Sequence, residues 1–192
     1  MSLKTFKSYT KSTRGTVLID KSNLWKGKPF KSLTSVNNSS KGRNNLGRIT
    51  SRNHGGGHKH KYRIIDFYRK KFEVKGKVER IEYDPNRSCH IMLIKFDDNE
   101  HKYYLAPQKI KVGDTIENGP NVELKIGNSL PLKNIPAGME IHNVEIQPGG
   151  GGKIARAAGS SVSISGIDGN YTIIKMGSGE IRKIDSRSMA TI

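Results

Sequence analysis

The chain has 192 residues, 33% of them hydrophobic, and carries 34 Lys+Arg against 17 Asp+Glu, a formal net charge of +17. That length fits one large or two small domains, and the charge is the footprint of a polyanionic partner. The single cysteine, Cys89, excludes an internal disulfide and a cysteine-ligated zinc site. No apolar run approaches the roughly 20 residues that span a bilayer.

The charge is unevenly placed. Residues 1–72 hold 18 Lys+Arg and 2 Asp+Glu, which leaves 16 and 15 for the remainder. The first third therefore carries nearly all of the excess, and the rest can fold without strong self-repulsion. The first twenty residues are basic and rich in Ser and Thr, with no acid before Asp20. Organelle transit peptides share that composition, whereas the apolar core of a secretory signal is missing. Without secretion, the sequons at Asn37, Asn38 and Asn170 have no meaning as glycosylation sites.

Residues 1–60 show little period of either kind, and 35–45 reads SVNNSSKGRNN, which cannot build a core. An extended tail is expected, disordered alone and ordered on its partner. Val17-Leu18-Ile19 and Leu24-Trp25 interrupt it, and dock either on the protein's own barrel or elsewhere. Residues 47–70 read GRITSRNHGGGHKHKYRIIDFYRK. Glycines let the backbone approach a surface between cationic anchors, which is the pattern of a segment lying on phosphates. The expected RNA contacts here are Arg43, Arg48, Arg52, His54, His58, Lys59, His60, Lys61, Arg63 and Arg69. A His-x3-His metal pair needs a helix. Glycines between His54 and His58 oppose one, so base stacking or phosphate hydrogen bonding is the expected role of the histidines and no metal is expected.

From residue 62 the pattern changes to short strands. Expected strands cover 72–83, 88–96, 101–105, 112–116 and 122–126, enough for a small barrel. A second set at 138–147, 161–167, 171–176 and 180–184 reads as a second barrel, with its last pair turning through Gly177-Ser178-Gly179. Asp97, Asp98 and Glu100 read as a solvated hairpin tip. Tyr83, Tyr103 and Tyr104 could stack bases, though core and rim packing is the favoured reading.

Gly149–Gly152 followed by Lys153 resembles a phosphate loop only superficially. Gln147 stands where the first glycine is required, and Ile154 where the hydroxyl is required. The expectation is a glycine loop whose amides and Lys153 meet RNA backbone, with an ordinary linker as the alternative. Arg156, among small neighbours in IARAAG, is free to reach outward. Arg87 follows Tyr83-Asp84-Pro85-Asn86, a turn signal.

Several of these stretches carry a resemblance. GRITSRNHGGGHKHKYRIIDF, Ile81-Glu82-Tyr83-Asp84-Pro85-Asn86-Arg87, Leu105-Ala106-Pro107, Gly127-Asn128-Ser129-Leu130-Pro131-Leu132, Asn134-Ile135-Pro136-Ala137-Gly138 and Ile154-Ala155-Arg156-Ala157-Ala158-Gly159 are similar, in order, to the large-subunit ribosomal protein L-two family. The residues 4–15 also resemble that family's mature N-terminus, against the transit reading. The resemblance implies an OB-like barrel followed by an SH3-like barrel, and ribosomal RNA contacts at Arg87 and Arg156. It further implies a place beside the peptidyl transferase region and roles in subunit assembly and association. In the family a basic, glycine-rich extension follows the segment resembling 186–192. A separate polypeptide supplying it is therefore expected in the same particle, and split genes of that kind suggest a mitochondrion, with plastid or bacterial cytoplasm as alternatives. Lys outnumbers Arg about two to one, a compositional hint in the same direction.

The expected fold is thus all-β, with a basic tail over 1–60, an OB-like barrel over 61–130 and an SH3-like barrel over 131–192. The expected function is that of a structural, non-enzymatic constituent of the large ribosomal subunit, with large-subunit rRNA and neighbouring ribosomal proteins as partners. No cofactor, membrane or small-molecule substrate is expected. A free OB/SH3-type nucleic-acid module, such as a regulator or chaperone, is the alternative.

Overall fold

The segment Ile91–Phe96 reads IMLIKF. A strand so uniformly apolar needs both of its faces covered. The computed structural model, which describes residues 3–36, 40–55 and 57–192, shows what covers them. From the N-terminus, β1 (Leu3–Thr5) and β2 (Val17–Ile19) make a hairpin, and β3 (Thr34–Val36) pairs with β4 (Lys61–Arg63). Next come β5 (Gly76–Glu82), β6 (Ile91–Phe96), β7 (His101–Leu105) and β8 (Thr115–Ile116). They form one antiparallel sheet in the order β7-β6-β5-β8.

The second half contains β9 (Ser129–Pro131), β10 (Glu140–Ile141), β11 (Val144–Glu145), β12 (Gly152–Ile154), β13 (Val162–Asp168), β14 (Tyr171–Met176), β15 (Ile181–Asp185) and β16 (Met189–Thr191). Strands β10, β13, β14 and β15 form a second antiparallel sheet, while β9 pairs with β16 and β11 with β12. Among the described residues, helix is confined to two single 3-10 turns, Lys31–Leu33 and Leu132–Asn134. The all-β expectation holds, with two barrel-like units in succession.

Each unit has its own core. Ile91, Leu93, Tyr103 and Leu105 pack on one face of the first sheet, and Met92, Ile94, Phe96 and Tyr104 on the other. Burial of each such side chain contributes about 1.5–3 kcal/mol. Leu130, Ile141, Val144, Val162, Ile164 and Ile174 form the centre of the second unit. Tyr103 and Tyr104 are core residues, as favoured, while Tyr83 is exposed beneath Lys21. Asp98 and Glu100 form the expected hairpin tip, and Lys71 pairs with both.

Two expectations change. Residues 122–126 form no strand: Asn128 takes the neighbouring backbone, accepting from Glu117 N–H at 2.9 Å and donating to Glu123 C=O at 3.0 Å. The expected strand over 138–147 splits into β10 and β11 around Asn143, whose φ is +49°. The N-terminal segment is also less featureless than its composition suggests. Phe30 and Leu33 pack against the Ile91/Leu93/Tyr103 face, and Phe30 N–H donates to Tyr103 Oη at 2.8 Å. Trp25 N–H donates to Ile81 C=O at 2.8 Å, and the indole lies 4.9 Å from the Arg80 guanidinium. Of the two apolar patches, Trp25 docks on the first sheet, whereas Val17, Leu18 and Ile19 stay exposed in the hairpin. Residues 37–39, which include two sequons and the centre of the polar stretch, and Gly56 of the glycine run lie outside the described residues.

Candidate nucleic-acid interface

Between β3 and β4 the chain forms a loop that holds its cations outward. Asn44 Oδ1 accepts the amides of Leu46 at 3.0 Å and Arg48 at 2.9 Å. The amides of Thr50 and Ser51 return to Gly42 C=O at 2.9 and 3.1 Å. Gly42 has φ +70°, and a Cβ there would fall 2.2 Å from the Ser51 carbonyl oxygen, so only glycine fits. Arg43, Arg48 and Arg52 lie exposed on this loop, and His54, His58, Lys59, His60 and Lys61 continue the exposed series. The rings of His58 and His60 are 5.5 Å apart and tilted. Arg63 is half-buried, with Nη1 donating to Lys61 C=O at 2.8 Å. The only acids before Glu73 are Asp20 and Asp66. Asp66 already faces Lys102 at 3.1 Å, so the loop's cations have little internal counter-charge.

A second group forms where the two units meet. Asp84 is fully buried, and its Oδ2 accepts Arg87 Nε at 2.6 Å. The Arg87 guanidinium lies 5.9 Å from the Phe67 ring centre and 5.6 Å from that of Tyr62. From the other unit, the Arg156 guanidinium lies 4.5 Å from the same Phe67 ring. Cys89 Sγ donates to Arg156 C=O at 3.2 Å, and Ala158 N–H donates to Ser88 Oγ at 3.1 Å, which closes the junction. Burial raises the Cys89 thiol pKa, so the group stays protonated there. Two arginines far apart in sequence thus share one aromatic platform, and each keeps guanidinium N–H donors beyond its internal bond. An anion with several acceptors, such as a phosphate, suits that arrangement.

The family model described as Ribosomal Proteins L2, RNA binding N-terminal domain matches residues 30–118. The one described as Ribosomal Proteins L2, C-terminal domain matches residues 125–192. The chain belongs to the ribosomal protein L2 family. The large ribosomal subunit protein uL2 of Pelagibacter ubique is 70% identical over 100% of this chain and 69% of its own length. Its namesakes from Gluconacetobacter diazotrophicus and Rickettsia bellii are each 54% identical over 100% of this chain and 70% of their own length. These relatives are bacterial and give no support to a mitochondrial origin, nor do they support a separate polypeptide as partner. Within the L2 fold the first unit is the OB-like barrel and the second the SH3-like barrel.

The glycine loop of this L2 chain corrects one expectation. Its four amides are all engaged internally: Gly149 and Gly151 donate to the Glu145 carboxylate at 3.1 and 3.0 Å, Gly150 to Gln147 C=O at 3.0 Å, and Gly152 to Phe67 C=O at 3.0 Å. They are not available to RNA backbone. Lys153, by contrast, is exposed on β12 and remains a candidate contact. Phe67 and Glu145 were not legible as site residues, since nothing in local sequence says what they touch. Asp84 was legible only as part of a turn signal, and its hold on Arg87 was not read from the sequence.

Arg69 is the second correction. It is 2% exposed, with Nη1 donating to Gly127 C=O at 2.8 Å and the guanidinium 4.2 Å from the Tyr104 ring. Its loss of hydration lowers its pKa to about 10, so it stays charged at neutral pH. A side chain so enclosed cannot reach an RNA strand; it ties the Gly127 carbonyl to the core of the first barrel at Tyr104. Nearby His142 is held neutral: burial, and then the charge of Arg69, push its pKa down to about 3. The sign follows directly. Between pH 6.5 and 3 the unfolded histidine gains a proton that the folded one refuses, so stability present above pH 6.5 is lost as pH falls. Lowering the pH from 6.5 to 5 should remove about 2 kcal/mol through this residue. Urea unfolding at both pH values measures it, and His142→Gln should flatten the dependence by that amount.

Proposed function

We propose that this L2 chain is a structural, non-enzymatic constituent of the large ribosomal subunit that binds large-subunit rRNA near the peptidyl transferase region and supports subunit assembly and translation. The observation that carries the reading is the convergence of Arg87 and Arg156 on Phe67, one arginine from each barrel. Residues 1–60 form a basic tail that lies among RNA helices, with its stretch around Trp25 and Phe30 also resting on the first barrel. Residues 61–130 and 131–192 are the two barrels that fix its register. Arg43, Arg48, Arg52, His54, His58, Lys59, His60, Lys61 and Arg63 supply the distributed contacts, and Arg87, Lys153 and Arg156 the anchored ones. Neighbouring ribosomal proteins complete the environment. A bacterial cytoplasm accommodates this ribosome as well as an organelle does.

Arg87→Ala and Arg156→Ala should each weaken binding to purified large-subunit rRNA by about 1–3 kcal/mol. Arg69→Met is the matched control: it removes a buried cation of similar volume and should leave RNA affinity within about 0.5 kcal/mol of the parent. Filter binding on the full chain measures all three. Unchanged binding by both alanine variants rules the site out.

A further inference from the structure

We propose that Glu145 is a positioning residue for Arg156, acting through the glycine loop, an assignment that rests on the reading of Arg156 as an RNA contact. Glu145 ends β11 and is 2% exposed. A buried carboxylate needs donors in place of the water it has lost. Its Oε1 accepts Gly151 N–H at 3.0 Å, and its Oε2 accepts Gly149 and Met189 N–H at 3.1 Å each. Gly149 and Gly151 both have φ +73°, a conformation that turns successive amides inward as an anion-binding concavity. The anion held there is the protein's own side chain.

The loop so fixed leads directly to the site. Gly152 N–H bonds Phe67 C=O at 3.0 Å, and Gly152 C=O accepts Arg156 Nη1 at 3.4 Å. The same backbone unit therefore grips the aromatic platform with one end and the arginine with the other. Close packing leaves the loop little slack: a Cβ on Gly151 would fall 3.2 Å from the Tyr68 ring, and one on Gly152 2.1 Å from Asn143 Oδ1. Glu145 is buried, so its route to RNA binding runs through the loop it holds.

The test is a double-mutant cycle on the full chain, with purified bacterial large-subunit rRNA as the probe. Glu145→Gln keeps the shape and one acceptor but loses the charge that gathers three amides. It should weaken RNA binding about tenfold in the parent and leave affinity unchanged in the Arg156→Ala background. Equal losses in both backgrounds, or no loss in the parent while Arg156→Ala binds weakly, overturns the positioning role. Should Glu145→Gln unfold, Gly151→Ala disturbs the same loop from its other side and should show the same dependence on Arg156. An Arg156→Ala variant that binds like the parent overturns the reading of Arg156 as an RNA contact and the role of Glu145 with it.

Discussion

Raising monovalent salt from about 50 mM to about 200 mM should weaken binding of the full chain to large-subunit rRNA by about 300-fold to about 10⁴-fold, as expected when six to ten phosphates of single-stranded RNA are neutralised. The charge distribution sets this magnitude. The loop between β3 and β4 presents Arg43, Arg48, Arg52 and Lys59 to solvent, Lys61 follows at the start of β4, and Arg87, Lys153 and Arg156 add to them. Each phosphate contact releases condensed counterions, and with about six contacts on single-stranded RNA the slope of log affinity against log salt should be about −4 or steeper. Filter-binding titrations at several salt concentrations give that slope. The two anchored arginines acting alone would produce a slope between about −1 and −2. A shallow slope would therefore mean that the tail contributes little, whatever its composition.

What was legible in the sequence was the part governed by local periodicity. The hairpin of β14 and β15 was readable because apolar alternation on both sides of Gly177-Ser178-Gly179 specifies a turn and a register together. The strand at Ile91–Phe96 was readable as part of a β-rich run over 88–96, but not what buries it. Phe30 and Leu33, which cover one of its faces, lie in a segment whose polar composition hides them. Arg69 was misread for a related reason. It belongs to a cationic run, and only the Gly127 carbonyl and the Tyr104 ring, far away in sequence, show that it faces inward. The glycine loop carried the opposite ambiguity. Its flexibility was plain, but the anion that its amides bind is Glu145 rather than an external phosphate. In each case the missing information was a tertiary partner, which no window of sequence contains.

Asp84→Ala should destabilise the fold by about 3 kcal/mol, at the lower end of the range for breaking a buried ion pair because Arg87 keeps a partly solvated edge. Asp84 follows the end of β5, with Pro85 next to set the turn. One carboxylate oxygen accepts both Asn86 N–H and Asn86 Nδ2, each at 2.9 Å, and the other accepts Arg87 Nε at 2.6 Å. Asn86 Nδ2 also donates to Lys61 C=O at 2.8 Å, so the same carboxylate steadies the edge of the cationic segment. Alanine would leave these donors unmet and the Arg87 charge uncompensated where its side chain is only 16% exposed. Asp84→Asn, which keeps an acceptor for the turn, should cost about 1–2 kcal/mol. The decisive comparison is Asp84→Ala in the Arg87→Ala background, where no guanidinium is left unpaired and the loss should shrink to the turn contribution, about 1 kcal/mol. Thermal and urea unfolding of the four variants measure this, and a loss of equal size in both backgrounds would mean that Asp84 stabilises the turn alone and does not hold Arg87 in place.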